Sequence, residues 1–160
     1  MFYEQHKDWI TEQEHTDIIK SVVLADKWSF GQTSDNGRYD LNFPMWTQGF
    51  FKVKDQQFTH HTPEIIKVLS LRFVTQCPED YVLIRSMACA NTFGLDGDFH
   101  TDWPSPNKSV TGVLYTDRTW ERNWGGDTTF VGEDGLYSSE YQPRKLVMFD
   151  SSIEHIGRGP

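Results

Sequence analysis

Residues 85–102 read RSMACANTFGLDGDFHTD, and this stretch decides the fold that we expect. It continues a β-rich run that extends from Tyr81 to Cys89, and two glycines then separate this run from the motif His-x-Asp. In an extended chain, residues i and i+2 point to the same face. His100 and Asp102 therefore present a nitrogen and an oxygen ligand side by side.

A third ligand is expected from a later part of the chain. His155 follows the apolar run 146–149 and a short polar turn. Two histidines and one carboxylate on one face of an octahedron form the facial triad of non-haem iron(II), which leaves positions open for a cosubstrate and dioxygen. A lone His-x-Asp is a weak signal, because most histidines have other roles. The order His100, Asp102, His155 predicts that these residues are both the metal ligands and the catalytic centre.

The distribution of patterns along the chain predicts a mostly β, α+β fold. Strand signals dominate the second half, and helical signals occur only in the first half. Such an order is typical of helices packed on one face of an antiparallel sandwich. The further β-rich runs, separated by glycines and prolines, are 109–116, 127–131 and 145–149.

Two helices are predicted in the first half. Thr11 and Glu14 form a capping box, and apolar residues follow at helical spacing as far as Val23. The second helix opens at Thr62-Pro63 and ends near Cys77-Pro78. Between the helices, residues 28–58 read as strands, with turn signals at 35–37 and 42–44.

Four segments carry a more specific signal when they are taken in order. They are 85–102, 110–120 (VTGVLYTDRTW), 125–130 (GGDTTF) and 145–155 (KLVMFDSSIEH). Together they resemble the metal-site strands and the GG-(acidic)-x-x-F signature of the 2-oxoglutarate/iron(II)-dependent dioxygenase superfamily, in its prolyl 4-hydroxylase-like group. The resemblance covers roughly residues 80–156 and adds little for the first half.

The resemblance implies a double-stranded β-helix (jelly roll) with N-terminal helices on its major sheet, as a single domain over residues 1–160. It implies an oxidoreductase that uses iron(II) and 2-oxoglutarate, with ascorbate as a further cofactor. Such an enzyme hydroxylates a C–H bond and releases succinate and carbon dioxide. A prolyl residue in a peptide or protein is the first expectation for the substrate, and a small molecule is the alternative.

The resemblance also implies residues that bind the cosubstrate. Tyr115 occupies the position of a tyrosine whose hydroxyl binds the distal carboxylate of 2-oxoglutarate, so we expect a free hydroxyl that points into the barrel. The alternative for Tyr115 is a core tyrosine. Asn91 and Thr92 either line the cosubstrate pocket or only end a strand.

The sequence departs from the group near its C-terminus. In the group, a basic residue on the strand after the distal histidine pairs with the distal carboxylate, whereas this sequence ends at Pro160. Arg158 lies too close to His155 to match that position. We expect a truncated chain; the alternative is that Arg158 binds 2-oxoglutarate through altered geometry.

Two further side chains near the motif have open interpretations. Arg85 heads an apolar strand, where we expect a solvated strand end rather than an ion pair or a cosubstrate contact. Trp103 is either a core aromatic or the rim through which substrate enters. His60 and His61 precede a helix cap and are assigned no metal.

Charge and composition narrow the partners. A formal net charge of -8 repels phosphate groups, so nucleic acid and anionic membranes are not expected as partners. No apolar run is long enough to span a membrane, and the N-terminus lacks the pattern of a signal peptide. Cys77 and Cys89 form no disulfide framework. These features favour a reduced, cytoplasmic protein.

Two rival functions stay open at this point. A cupin-like metalloprotein would use the same triad without 2-oxoglutarate, and the missing basic residue supports it. A catalytically inactive jelly-roll binding module would need no metal, and the presence of all three ligands argues against it.

Overall fold

A computed structural model describes residues 3–32, 44–106 and 108–160. In these ranges the chain forms ten β-strands and two short α-helices, so the mostly β class predicted from the sequence is confirmed. The turn signals at 35–37 and 42–43 lie outside the described residues. None of the helices in the described ranges has the length and apolar character needed to cross a membrane.

Helix α1 (Glu12–Ile18) begins at the predicted capping box. The Thr11 hydroxyl accepts a hydrogen bond from the Glu14 backbone N–H at 3.2 Å, and the Glu14 carboxylate accepts one from the Thr11 backbone N–H at 2.9 Å. The N-terminal end of a helix leaves backbone N–H donors without partners, and this reciprocal pair satisfies two of them. The helix continues into a short π-helical turn, Ile19–Val23.

Helix α2 (Glu64–Thr75) begins one residue later than the sequence predicts. Pro63 is the cap residue, because its backbone is still extended, with φ −59° and ψ 144°. Thr62 does not cap the helix, since its hydroxyl donates to the carbonyl oxygen of Phe50 at 3.1 Å. A tertiary hydrogen bond to a neighbouring strand has replaced the local one.

The strands form three antiparallel sheets. The first has the order β1-β9-β6, the second has the order β10-β7-β8, and in the third β3 pairs with β2, β4 and β5. The strands are β1 (Tyr3–His6), β2 (Ser29–Gln32), β3 (Met45–Lys52), β4 (Gln57–Phe58), β5 (Arg85–Ala90), β6 (Val110–Leu114), β7 (Thr128–Gly132), β8 (Gly135–Ser139), β9 (Leu146–Asp150) and β10 (His155–Gly157).

Strand β9 is the most deeply placed element. All five of its residues are buried, and it lies between β1 and β6. This explains its nearly continuous apolar sequence, because a strand covered on both faces does not alternate with polar residues. The strand leads directly into the turn before His155, so the core fixes one end of that turn.

Two apolar clusters form the core. One joins the helices to the sheets, since it packs Ala88 of β5 and Leu114 of β6 against the helical side chains. An ion pair between Glu14 and Arg72 also connects α1 with α2. The buried members of the first cluster are Ile10, Ile18, Val22, Phe50 and Leu69; those of the second are Tyr115, Phe130, Val147, Phe149 and Ile153.

Candidate metal centre

The segment 97–103 runs antiparallel to the segment 151–157 and brings the two histidines together. His100 and His155 exchange both backbone hydrogen bonds, each at 2.9 Å. Further backbone hydrogen bonds join Gly97 to Gly157 at 2.9 Å and Trp103 to Ser151 at 3.0 Å. Residues paired in this way have side chains on the same face. The two imidazole rings accordingly lie with their centroids 4.5 Å apart.

The hydrogen bonds of the two rings fix which nitrogen is free. Nδ1 of His100 lies 2.8 Å from the carbonyl oxygen of Asp98, and Nδ1 of His155 lies 2.9 Å from that of Ile153. A carbonyl oxygen only accepts, so both Nδ1 atoms carry the proton. In the neutral form of each ring, the lone pair is therefore on Nε2, as in metal-ligating histidines whose other nitrogen donates to a carbonyl.

Asp102 completes the group. Its Oδ1 lies 4.0 Å from Nε2 of His100, and its Oδ2 lies 3.8 Å from Nε2 of His155. Ligand atoms of one metal ion cannot be further apart than about twice the bond length, roughly 4.2 Å for bonds near 2.1 Å. The two distances end on different oxygens of Asp102, and one ligand atom from each of the three residues lies within 4.8 Å of the other two, so the side chains must move slightly closer together to hold one ion. A mixed nitrogen and carboxylate donor set of this kind suits a first-row transition metal.

Both oxygens of Asp102 already have protein partners. Arg85 donates from Nη2 to Oδ1 at 2.8 Å, and the Thr111 hydroxyl donates to Oδ2 at 2.7 Å. The Ser151 hydroxyl lies 2.8 Å from the Thr111 hydroxyl, and it must be the donor, because Thr111 has one proton and gives it to Asp102. The expectation that Arg85 is only a solvated strand end is wrong.

Thr111 and Ser151 are site residues that the sequence reasoning missed. Both lie inside segments quoted for their strand pattern, and neither belongs to the His-x-Asp motif. Their contact depends on the pairing of β6 with β9, which places Thr111 opposite Phe149. No spacing within the sequence signals that contact.

The protonation states favour metal binding. Burial alone would raise the pKa of Asp102, but the neighbouring His155, the Thr111 hydrogen bond and the Arg85 charge bring that pKa below its ordinary value. Burial lowers the pKa of His155. An ionised carboxylate and a neutral imidazole are the forms that bind metal.

Tyr115 lies in the second core cluster, with 4% of its surface exposed. Its hydroxyl is hydrogen-bonded to the Thr128 hydroxyl at 2.8 Å and to the Ser139 carbonyl oxygen at 3.2 Å. The expectation of a free hydroxyl is therefore wrong for this structure. Its role in cosubstrate binding stays a prediction.

The other residues expected to bind the cosubstrate connect the C-terminal segment to residues 91–97. The Asn91 side chain donates to the carbonyl oxygens of Gly157 and Arg158 at 3.1 and 3.3 Å. The Arg158 guanidinium pairs with Asp96 at 2.6 Å, and Thr92 is exposed, with its carbonyl oxygen in a turn to Leu95. Cosubstrate contacts by these residues stay predictions.

Trp103 follows Asp102, and 45% of its surface is exposed. This exposure rules out a core aromatic and places Trp103 at the surface beside the candidate metal ligands. His60 and His61 are exposed and lie outside the triad, which is the group of possible metal ligands found in the described ranges.

Two solved structures share this fold. A prolyl hydroxylase from Trichoplax adhaerens, in complex with a hypoxia inducible factor oxygen degradation domain peptide fragment, matches with a TM-score of 0.73 and 17% identity over 98% of this chain and 77% of that chain. A prolyl-4-hydroxylase from Pseudomonas putida matches with a TM-score of 0.71 and 15% identity over 99% of this chain and 87% of that chain. No protein-family model and no curated protein matches the sequence significantly. The resemblance seen in the sequence is thus confirmed for the fold, which is that of prolyl hydroxylases.

Proposed function

We propose that the protein is a 2-oxoglutarate- and iron(II)-dependent dioxygenase that hydroxylates a C–H bond. The observation that carries the proposal is the triad, in which two histidines keep Nε2 free and face an ionised aspartate. The prolyl hydroxylase-like fold supports it independently. We further propose that the three sheets follow the double-stranded β-helix arrangement of that group.

In this proposal His100, Asp102 and His155 hold the iron, and the remaining coordination positions are left for 2-oxoglutarate and dioxygen. Dioxygen would supply the oxidising power at the bound iron, with one oxygen atom going to succinate as 2-oxoglutarate loses carbon dioxide and the other to the substrate hydroxyl, while the protein supplies binding and orientation. The chain contributes to this orientation through the two carbonyl oxygens that hold the histidine rings and through the Thr111 hydroxyl that donates to Asp102.

The cosubstrate-binding residues are part of the proposal. Tyr115 would release its hydroxyl from Thr128 to bind the distal carboxylate of 2-oxoglutarate, and Asn91, Thr92 and Arg158 would provide further contacts to the cosubstrate. Ascorbate would keep the iron reduced. A prolyl residue in a peptide is the proposed substrate, because one structural neighbour is a prolyl hydroxylase in complex with a peptide fragment.

Anaerobic titration of the full chain with iron(II), followed by 2-oxoglutarate, tests the proposal. We expect calorimetric metal binding, and then a visible charge-transfer band when 2-oxoglutarate is added. His100→Ala, Asp102→Ala and His155→Ala should each abolish or severely weaken metal binding. His61→Ala is the matched control, since it removes an exposed imidazole outside the triad.

The rival functions give different results in the same titration. Metal binding without the band would indicate a metalloprotein that does not use 2-oxoglutarate, and no metal binding would indicate an inactive binding module. Wild-type-like metal affinity in any two of the three alanine variants would contradict the assignment of the ligands.

A further inference from the structure

Arg85 and Asp102 form an ion pair at the metal site that the triad does not require. Arg85 opens β5, and 52% of its side chain is exposed, whereas only 16% of the Asp102 side chain is exposed. Nη2 of Arg85 lies 2.8 Å from Oδ1, while the other oxygen of the carboxylate accepts from Thr111. A half-exposed cation thus binds one oxygen, and a hydroxyl held by Ser151 binds the other.

We propose that Arg85 is the tethered counter-ion of the metal-free site, and that an incoming divalent metal ion must displace it from Asp102. This inference rests on the proposed function, because it takes His100, Asp102 and His155 as the metal ligands. Arg85 would therefore lower the affinity of the site for metal, because it competes with the ion for Asp102.

The charges of the site explain why a counter-ion is needed without metal. Asp102 is largely buried, and an unpaired buried carboxylate is costly. Both histidines hold their Nδ1 protons on carbonyl oxygens, and a histidine ring carries a charge only when its Nε2 is protonated as well. Among the described side chains that contact Asp102, Arg85 is therefore the one with a permanent positive charge.

A divalent metal ion takes over the same task when it binds. It neutralises the carboxylate, and it repels a guanidinium held against the same group. Arg85 can withdraw at little cost, because its side chain is long and already half in solvent. Thr111 cannot withdraw in this way, since its short side chain is held by Ser151. Metal binding should therefore release Arg85 and keep the Thr111 hydrogen bond.

The expected effect of removing Arg85 has an unusual sign. A residue that only orients Asp102 would lower metal affinity when it is removed, whereas a competing counter-ion would raise it. Partly exposed ion pairs are weak, so we expect Arg85→Gln to bind cobalt(II) about threefold to tenfold more tightly than the wild type. The gain should shrink at high salt, because salt screens a partly exposed charge.

Calorimetric titration of the full chain with cobalt(II), at low and high salt, tests the proposal. Arg85→Lys keeps the charge and should stay close to the wild type. Arg122→Gln is the matched control, since it removes the same charge from an exposed ion pair, that between Arg122 and Glu140 at 2.9 Å, and should leave cobalt(II) affinity unchanged. Melting curves of the metal-free proteins verify that each variant folds.

Each result has one meaning. Tighter binding by Arg85→Gln with wild-type-like Arg85→Lys supports the counter-ion. Unchanged or weaker binding by Arg85→Gln overturns it and leaves the metal site intact. If Arg85→Gln does not fold, the cobalt(II) affinity of Arg85→Lys decides the question. Weaker binding than in the wild type overturns the proposal, and unchanged binding supports it. No cobalt(II) binding by the wild type would overturn the proposed function itself, and this inference with it.

Discussion

Replacing Thr111 with valine removes one hydroxyl from the proposed metal site and leaves the shape of the side chain nearly unchanged. In the protein, this hydroxyl donates to Oδ2 of Asp102 at 2.7 Å and accepts from the Ser151 hydroxyl. The substitution therefore leaves one oxygen of a largely buried ligand without its donor. We expect the fold to survive and the affinity for metal to fall.

The structure allows the size of this fall to be worked out. A hydrogen bond to a charged group contributes about 1.5–3 kcal/mol. Each 1.4 kcal/mol changes an equilibrium constant by about tenfold, so the loss is on the order of 10- to 100-fold. The partners that orient metal ligands have effects of about the same size in other metal sites. Asp102 is 16% exposed, so water can replace part of the lost bond, and the lower half of the range is expected.

Calorimetric titration with cobalt(II) measures the effect, and Thr129→Val provides a closely matched control. Thr129 donates to Oδ2 of Asp127 at 2.8 Å and lies 2.8 Å from the Ser138 hydroxyl, so the same serine–threonine–aspartate arrangement occurs on β7, on the face opposite to Phe130, the residue that pairs with His155. Equal affinities of Thr111→Val and the wild type would refute the reasoning. So would an equal loss in both valine variants, since it would indicate a general effect of the lost hydroxyl.

Three further predictions concern stability and the cosubstrate. Tyr115→Phe should lower the free energy of unfolding by about 1 kcal/mol, since the hydrogen bond to Thr128 is lost. It should also weaken 2-oxoglutarate binding by about tenfold. A lowered melting temperature with an unchanged dissociation constant for 2-oxoglutarate would assign the residue to the core alone. The hydrogen bond from Arg72 lowers the pKa of Glu14 from 4.5 to about 2, so this carboxylate contributes stability above pH 4.5 that is lost as the pH falls towards 2. Glu14→Gln should therefore be about 1–2 kcal/mol less stable than the wild type at pH 7 and equally stable at pH 2; in urea melts, a difference that is the same at both pH values would contradict this. Phe130→Ala, at a fully buried position, should lose about 3–5 kcal/mol in the same melts, and a loss below 1 kcal/mol would show that the second core cluster is not tightly packed.

Local patterns predicted the elements whose contacts lie close together in the sequence. The capping box of Thr11 and Glu14 spans four residues, and the structure contains both of its hydrogen bonds. The predicted start of α2 was wrong by one residue, because the hydroxyl of Thr62 donates to the carbonyl oxygen of Phe50 in β3, twelve residues earlier. Propensity within a short window does not include such a partner.

In the candidate site, too, local spacing predicted the ligands, and the contacts between distant residues were missed. The spacing of His100 and Asp102 predicted that their side chains share a face, and the apolar run and polar turn before His155 indicated the third ligand. The partners of Asp102 were not predicted, since Arg85 lies seventeen residues before it, at the start of β5. The hydroxyl of Tyr115 was expected to be free, because its position in the resemblance says nothing of Thr128 and Ser139 beside it.

The backbone pairing of residues 97–103 with residues 151–157 couples ligand geometry to local unfolding. The two amide protons that join His100 and His155 exchange with solvent only when this pairing opens. Such an opening carries His100 and Asp102 away from His155 together, so the triad is either assembled or divided into two and one. A metal ion bound by all three would close that opening, and the two amides would become protected by the free energy of metal binding. The exchange rates of the His100 and His155 amides therefore report, residue by residue, how often the site is assembled before any ion arrives.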